Sequence, residues 1–212
     1  MIERTGEKNR RDVLRIALAG AATAVVARST GGEAETKPGL SLTRRHGAND
    51  EGFRPLFDGK SFEGWKVNEN TPKSWKIDDE LLVLTGGNSH LFTREEFDDF
   101  VVRLEWRPLK SGYDSGFFVR GRQIQMAQGG AGMLFGSREA KATPQLHKPP
   151  GEWNRWEVSC VGTKLSLTVN GTLAWQIDDF PLARRPLGIQ AEGHPIEFRN
   201  LWVKSLSQRN DK

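Results

Sequence analysis

From Phe100 to Arg107 the chain alternates, with Val102, Leu104 and Trp106 on one side and Arg103, Glu105 and Arg107 on the other. Successive side chains of an extended strand point to opposite faces, so this pattern makes a half-buried strand and excludes an amphipathic helix. The same period recurs downstream, and no long window carries the 3.6-residue repeat of a helix. Trp75-Lys76-Ile77 leads into Leu81–Leu84, bounded by Asp78-Asp79 before and Gly86-Gly87 after. Ser115–Arg120 and Gln123–Ala127 read as two further strands, and a Gly162-Thr163 turn separates Trp153–Val161 from Lys164–Val169. Asn170-Gly171 is a strong hairpin signal leading into Leu173–Ile177, and Leu187–Gln190 and Ile196–Ser205 complete the set. Thr93–Asp98 is the exception: Thr93 with Glu96 three residues later predicts a capped helical turn.

About ten short strands joined by Gly, Asn and Pro turns predict an all-β fold, a jelly-roll sandwich of two antiparallel sheets. No internal repeat is visible, which counts against a propeller or solenoid. The length of 212 residues suits one domain with a sizeable core. All seven Trp lie between Trp65 and Trp202, and for a Trp in an alternating strand the core is the expected place, sugar-stacking platforms being the alternative. A net charge of +4, with both signs evenly mixed, does not nominate nucleic acid as a partner. The single cysteine, Cys160, excludes an internal disulfide framework and a Cys-rich zinc site.

The N-terminal quarter is a different kind of sequence. Arg10 and Arg11 precede an apolar run from Ile16 to Ala27. That run is well short of the roughly 20 residues a bilayer span needs. A charged start, a short apolar stretch and small residues at its end describe an export signal. The paired arginines make it resemble a twin-arginine signal, with Val25 and Ala27 placing cleavage before Arg28. Residues 1–27 are thus expected to be a signal peptide, residues 28–52 a flexible spacer, residues 53–206 the sandwich and residues 207–212 a tail. The expected location is periplasmic or secreted, with no stable membrane anchor, and no signal speaks to oligomeric state.

The motif inventory excludes more than it finds. There is no phosphate-cradling loop, no HExxH and no Gly-x-Ser-x-Gly elbow. The histidines stand singly at His46, His90, His147 and His194, a spacing that makes no metal-ligand pair. Glu105, mid-strand between Leu104 and Trp106 and flanked by Arg103 and Arg107, is a candidate general base. A solvated face with a salt-bridge ladder is the alternative, and periodicity by itself tips towards the ladder. Arg120 ends an apolar run, and Gln125 follows on the next strand.

Several stretches together resemble one family, the 3-keto-disaccharide hydrolase domain. They are Leu56-Phe57-Asp58-Gly59-Lys60 with Gly64-Trp65, Leu104-Glu105-Trp106-Arg107, Asp114 to Gly121, Ile124-Gln125, Lys148 to Asn154, Asn170-Gly171, Gly188-Ile189-Gln190 and Ile196 to Leu201. They run in the family's order from about Phe53 to Leu206. The resemblance implies a concanavalin A-like fold and cleavage of glycosides oxidised to a ketone at C3. Such a ketone acidifies the C2 proton, so one base can form an enolate that expels the glycosidic oxygen, and water then adds back. Carried onto this chain, the resemblance makes Glu105 the acid/base. Arg120, Gln125 and Lys148 would orient sugar hydroxyls or stabilise charge, with Gln190 and His194 as further substrate contacts. No cofactor is called for, although a divalent metal is compatible with holding the enolate oxygen. The implied partner is a glycoside or oligosaccharide. Two positions depart from the family's pattern: Gln128 stands where an acid is common, and Glu192-Gly193 where His-Gly is common. Glu192 returns a carboxylate to that place and joins the catalytic candidates. A non-catalytic carbohydrate-binding or interaction module on the same sandwich is the competing expectation.

Overall fold

A computed structural model describes residues 51–193 and 195–206. The signal-peptide expectation and most of the spacer, the tail after Leu206, and His194 lie outside the described residues. In chain order the elements are β1 (Arg54–Pro55), β2 (Trp65–Lys66), α1 (Thr71–Ser74), β3 (Trp75–Asp78), β4 (Leu81–Leu84), β5 (Leu91–Phe97), β6 (Phe100–Pro108), β7 (Gly116–Val119), β8 (Arg122–Gln125), a 3₁₀ turn (Pro144–Leu146), β9 (Asn154–Val161), β10 (Lys164–Val169), β11 (Thr172–Ile177), β12 (Arg185–Ile189) and β13 (Ile196–Ser205).

Two antiparallel sheets form a sandwich, as the alternation predicts. The larger runs β11-β10-β9-β6-β13-β4-β3, with β1 also on β13, and the smaller runs β2-β5-β12-β7-β8. The inward residues of β6 are Phe100, Val102, Leu104 and Trp106, all buried. They meet Phe117 and Val119 of β7, Ile124 of β8 and Leu187 and Ile189 of β12 in one apolar core. Burying side chains of this size stabilises by about 1.5–3 kcal/mol each. Five of the seven Trp (Trp65, Trp75, Trp106, Trp156 and Trp175) are buried in that core. Four of these indole N–H groups find acceptors, Trp65 on the Leu56 carbonyl at 2.9 Å, Trp75 on the Ser89 carbonyl at 2.6 Å, Trp156 on His147 at 2.9 Å and Trp175 on the Gly132 carbonyl at 2.7 Å, while that of Trp106 is buried without one.

The β10–β11 hairpin turns on Asn170 and Gly171, both at positive φ (51° and 89°), as the dipeptide predicts. The β3–β4 hairpin turns on Asp79 and Glu80, also at positive φ. The predicted helical turn at Thr93–Asp98 is corrected: these residues belong almost entirely to strand β5. Thr93 is buried, and its hydroxyl accepts the Leu187 N–H at 3.0 Å while donating to the Glu95 carbonyl at 2.7 Å. A side chain suited to capping a helix instead joins β5 to β12, because pairing with a distant strand buries more than one helical turn would.

Candidate functional site

The outer face of the larger sheet carries the candidate that the β6 pattern brought forward. Glu105 points away from the core, and its carboxylate accepts Arg199 at 2.8 Å and Asn200 at 3.1 Å. Beside it Arg103 donates to Glu157 at 2.7 Å, and Arg107 pairs with Glu197. The Trp153 ring lies between two of these guanidiniums, with Arg107 at 4.6 Å and Arg199 at 3.9 Å from its centroid. Each carboxylate here faces an arginine, so the face is an ion-pair ladder. The structure thus places Glu105 in the ion-pair ladder, the alternative towards which periodicity tipped.

Arg120 is held by its neighbours too. Its side chain is 1% exposed, and all five guanidinium hydrogens are engaged. Nε and Nη2 reach the Asp98 carbonyl at 3.0 and 2.7 Å, and Nη2 also reaches Asp99 at 2.9 Å. Nη1 reaches the Gly162 and Pro181 carbonyls at 2.7 and 3.2 Å. With φ at 45°, the residue turns the chain out of β7 and ties three loops together. No donor remains for a sugar. Lys148 is exposed, and its backbone N–H bonds Asn154, which starts β9 in the larger sheet. His147 is a packing residue: Nδ1 bonds the Thr143 carbonyl at 2.9 Å, and Nε2 accepts the Trp156 indole N–H at 2.9 Å. Burial holds its pKa below the usual imidazole value.

The remaining candidates meet on the outer face of the smaller sheet. Strand pairing sets Phe92, Gly188, Phe118 and Gln123 abreast in one row. Two residues along, Gly116 and Gln125 are paired and the Gln190 N–H bonds the Gly116 carbonyl at 2.8 Å. Two further on, Asp114 bridges Glu192 directly across the chains. Directly opposed residues share a face, so the two carboxylates stand side by side.

A chain of amides links them. Gln125 Nε2 donates to Asp114 Oδ1 at 2.7 Å, and Gln190 Nε2 donates to Glu192 Oε2 at 2.5 Å. Gln123 Nε2 donates to both neighbours, to Gln190 Oε1 at 2.6 Å and Gln125 Oε1 at 3.1 Å. Gly116 is required beneath it: a Cβ there would sit 2.2 Å from Gln123 Nε2. Burial, and then the Glu192 charge, push the Asp114 carboxyl above the usual aspartate pKa, outweighing the Ser115 and Gln125 hydrogen bonds. Among the described residues no arginine or lysine pairs with either carboxylate.

Gln125, Gln190 and Glu192 are thus brought together, while Glu105 and Arg120 are held elsewhere by their own partners. Asp114 is the residue that sequence reasoning passes over. Gln128, at the departure from the family pattern, accepts the Gly112 N–H at 2.6 Å and so braces the turn that leads into Asp114. Among the described residues no group of three His, Cys, Asp or Glu is placed to hold a metal ion. Two clefts of about 280 and 310 Å³ lie apart from this face, at Arg54, Asp58 and Arg94 and at Arg122, Arg138 and Asp179. Neither holds a carboxylate raised in pKa beside side-chain amides: the Asp58 carboxyl at the first is lowered, its hydrogen bonds within the turn outweighing burial, so the amide-linked face is the stronger site.

The fold and this face can be set beside known proteins. A family model described as the 3-keto-alpha-glucoside-1,2-lyase-like domain matches residues 52–204. A 3-keto-disaccharide hydrolase of Bacteroides thetaiotaomicron is 27% identical over 85 residues, which is 35% of this chain and 29% of that protein. The chain therefore matches less than a third of that relative's length. A crystal structure from Parabacteroides distasonis, assigned as a glycosyl hydrolase, superposes with a TM-score of 0.61 at 20% identity. It covers 74% of this chain and 95% of that one. A carbohydrate recognition domain superposes at 0.50 with 13% identity, over 73% of this chain and 95% of its own. At such identities the structural likeness speaks for the fold alone.

Proposed function

Because the chain belongs to the 3-keto-alpha-glucoside-1,2-lyase-like domain family across residues 52–204, we propose that it cleaves 3-keto-glycosides, with Asp114 as the base. The observation that carries this reading is the Asp114 carboxyl, raised in pKa by burial and by Glu192 and oriented by Gln125. A carboxylate made more basic while still ionised is suited to removing a carbon-bound proton.

The substrate lies across the amide row with its C2 hydrogen towards Asp114. Asp114 takes that proton, and the C2–H electron pair becomes an enolate whose charge rests on O3. Gln125 and Gln190 each use one amide hydrogen on a carboxylate and retain a second for a sugar oxygen. Preorganised donors of this kind lower the barrier where charge develops. The enolate then expels the C1 substituent: the C1–O bond breaks, a C1=C2 double bond forms, the O3 charge returns to a ketone, and the leaving oxygen takes the proton that Asp114 removed, restoring the carboxylate. Addition of water across C1=C2 gives the free 3-keto sugar, so the net change is hydrolysis. The leader of residues 1–27 would carry the protein out by twin-arginine export. A reporter fused to it should lose export when Arg10 and Arg11 are both replaced by Lys.

The test incubates the full chain with a 3-keto-glucoside and follows aglycone release by mass spectrometry. Wild type and Glu105→Gln should release aglycone at similar rates, and Asp114→Asn should not. Full activity in Asp114→Asn overturns the base assignment. Sugar binding without any release by wild type replaces the enzyme reading with that of a binding module.

A further inference from the structure

The row beyond the amides is aromatic, and nothing in the catalytic proposal uses it. Phe92 lies flat across β12, over Gly188: a Cβ on Gly188 would come within 2.4 Å of the Phe92 ring. The Phe118 ring stands beside it, 5.3 Å between centroids at 40°. His90 completes the group, 5.7 Å from Phe118 and 6.4 Å from Phe92. All three are half-buried and belong to the face turned away from the core. Aromatic rings gathered there leave apolar area open to solvent, which a sheet face with no ligand to cover it has little reason to keep.

The group is continuous with the site. The Ala191 N–H donates to His90 Nδ1 at 3.1 Å, and Ala191 stands between Gln190 and Glu192. With Nδ1 accepting, the neutral ring carries its proton on Nε2, a donor at the rim of the two phenyl rings. From the carboxylates to the aromatics is four residues along the extended chain from the Asp114 bridge into β7 (Asp114 to Phe118), roughly 13 Å at the usual strand rise. That length accommodates a disaccharide. The carboxylates sit at one end of it and an apolar floor with one polar donor at the other.

We infer that His90, Phe92 and Phe118 form the subsite for the leaving group, which takes a ring with an apolar face, either a pyranose presenting its C–H side or an aromatic aglycone. This rests on the reading of Asp114 and Glu192 as the bond-cleaving end. The Phe92 and Phe118 rings stack on the leaving group, and His90 Nε2–H donates to an oxygen at its edge. The substrates favoured are then 3-keto-disaccharides and aryl 3-keto-glucosides over those with a small alkyl leaving group.

The experiment compares kcat/KM for phenyl and methyl 3-keto-glucoside in wild type, Phe118→Ala, Phe118→Leu and Phe92→Ala. Wild type should prefer the phenyl substrate at least about tenfold, the value of one aromatic stacking contact. The Phe92 and both Phe118 variants should collapse that ratio, chiefly through KM. Phe118→Leu keeps apolar bulk, so its loss of preference marks stacking and not misfolding. A ratio unchanged in all three variants overturns the subsite. In parallel, titrating wild type with unoxidised phenyl glucoside should shift the His90 ring proton signals in NMR spectra, whether or not cleavage occurs, and signals that stay put also overturn it. If Asp114→Asn remains active while the phenyl preference collapses as expected, the base reading fails and the subsite stands.

Discussion

The two outer faces of the sandwich carry carboxylates in the same structural setting and hold them in opposite ways. On the larger sheet Glu105, Glu157 and Glu197 each meet an arginine, and Trp153 packs between two of the guanidiniums. On the smaller sheet Asp114 and Glu192 meet each other and two glutamine amides. Cations pair with the first set. Neutral donors position the second set and leave the charges to repel. A mid-strand acid is therefore no sign of chemistry until its partners are known. The contrast also explains why Glu105, prominent in the sequence, is engaged in a ladder, and why Asp114, inconspicuous there, is the base proposed.

The sharpest way to break this comparison is to exchange the roles of the two faces. Asp114→Asn should lower kcat on a 3-keto-glucoside by about 10²–10⁴-fold, the usual worth of a positioned base, while Glu105→Gln stays within about twofold; equal losses would erase the distinction. The largest expected effect on stability lies on neither face. Arg120→Ala strips five hydrogen bonds from a buried guanidinium that also pairs with Asp99. Removing one partner of such a pair costs about 3–5 kcal/mol, readable as a lower urea midpoint.

Stability should separate the faces next. Glu105→Gln weakens charge-assisted bonds to Arg199 and Asn200 and should cost about 1–3 kcal/mol of unfolding free energy. Asp114→Asn removes like-charge repulsion and should cost little or even stabilise, since active sites commonly trade stability for function. The pH dependence sharpens the same point. Asp114 must be ionised to act, and its raised pKa places the acid limb of kcat/KM above the ordinary aspartate value. Glu192→Gln removes the second cause of that rise and leaves burial, the first, in place. The limb should move towards lower pH without reaching the ordinary value, and a limb that stays or rises would show that the two carboxylates are uncoupled. Smallest is Trp153→Ala, which removes two exposed-edge cation–π contacts worth about 0.5–1 kcal/mol each and should leave the rate on the opposite face unchanged.

Much of the framework is legible in the order of residues. Alternation along Phe100–Arg107 assigns inward and outward residues correctly, and Asn170-Gly171 marks its hairpin. The helical turn expected at Thr93–Asp98 fails because a capping pattern is local, whereas the Thr93 hydroxyl is committed to Leu187 on another strand. The site is less legible. Gln125, Gln190 and Glu192 stand in or beside the ordered motifs, but Asp114 sits in a bridge before β7 with no alternation around it, and its partner Glu192 lies far along the chain. The family's Phe57-Asp58-Gly59-Lys60 stretch, by contrast, is a turn: Asp58 Oδ1 accepts the Lys60 and Ser61 N–H groups, both at 2.8 Å.

The amino-acid order alone determines that this chain makes antiparallel strands, which side chains each strand turns inward, and that the core is rich in tryptophan. Those properties follow from the two-residue period of an extended backbone and the burial of apolar area, and both are local. What only the tertiary structure decided is which outward residues become neighbours. Strand order put arginines opposite Glu105 and a second carboxylate opposite Asp114. Electrostatic interaction depends on separation in space and on what lies between the groups, and neither is written in the spacing of residues along the chain.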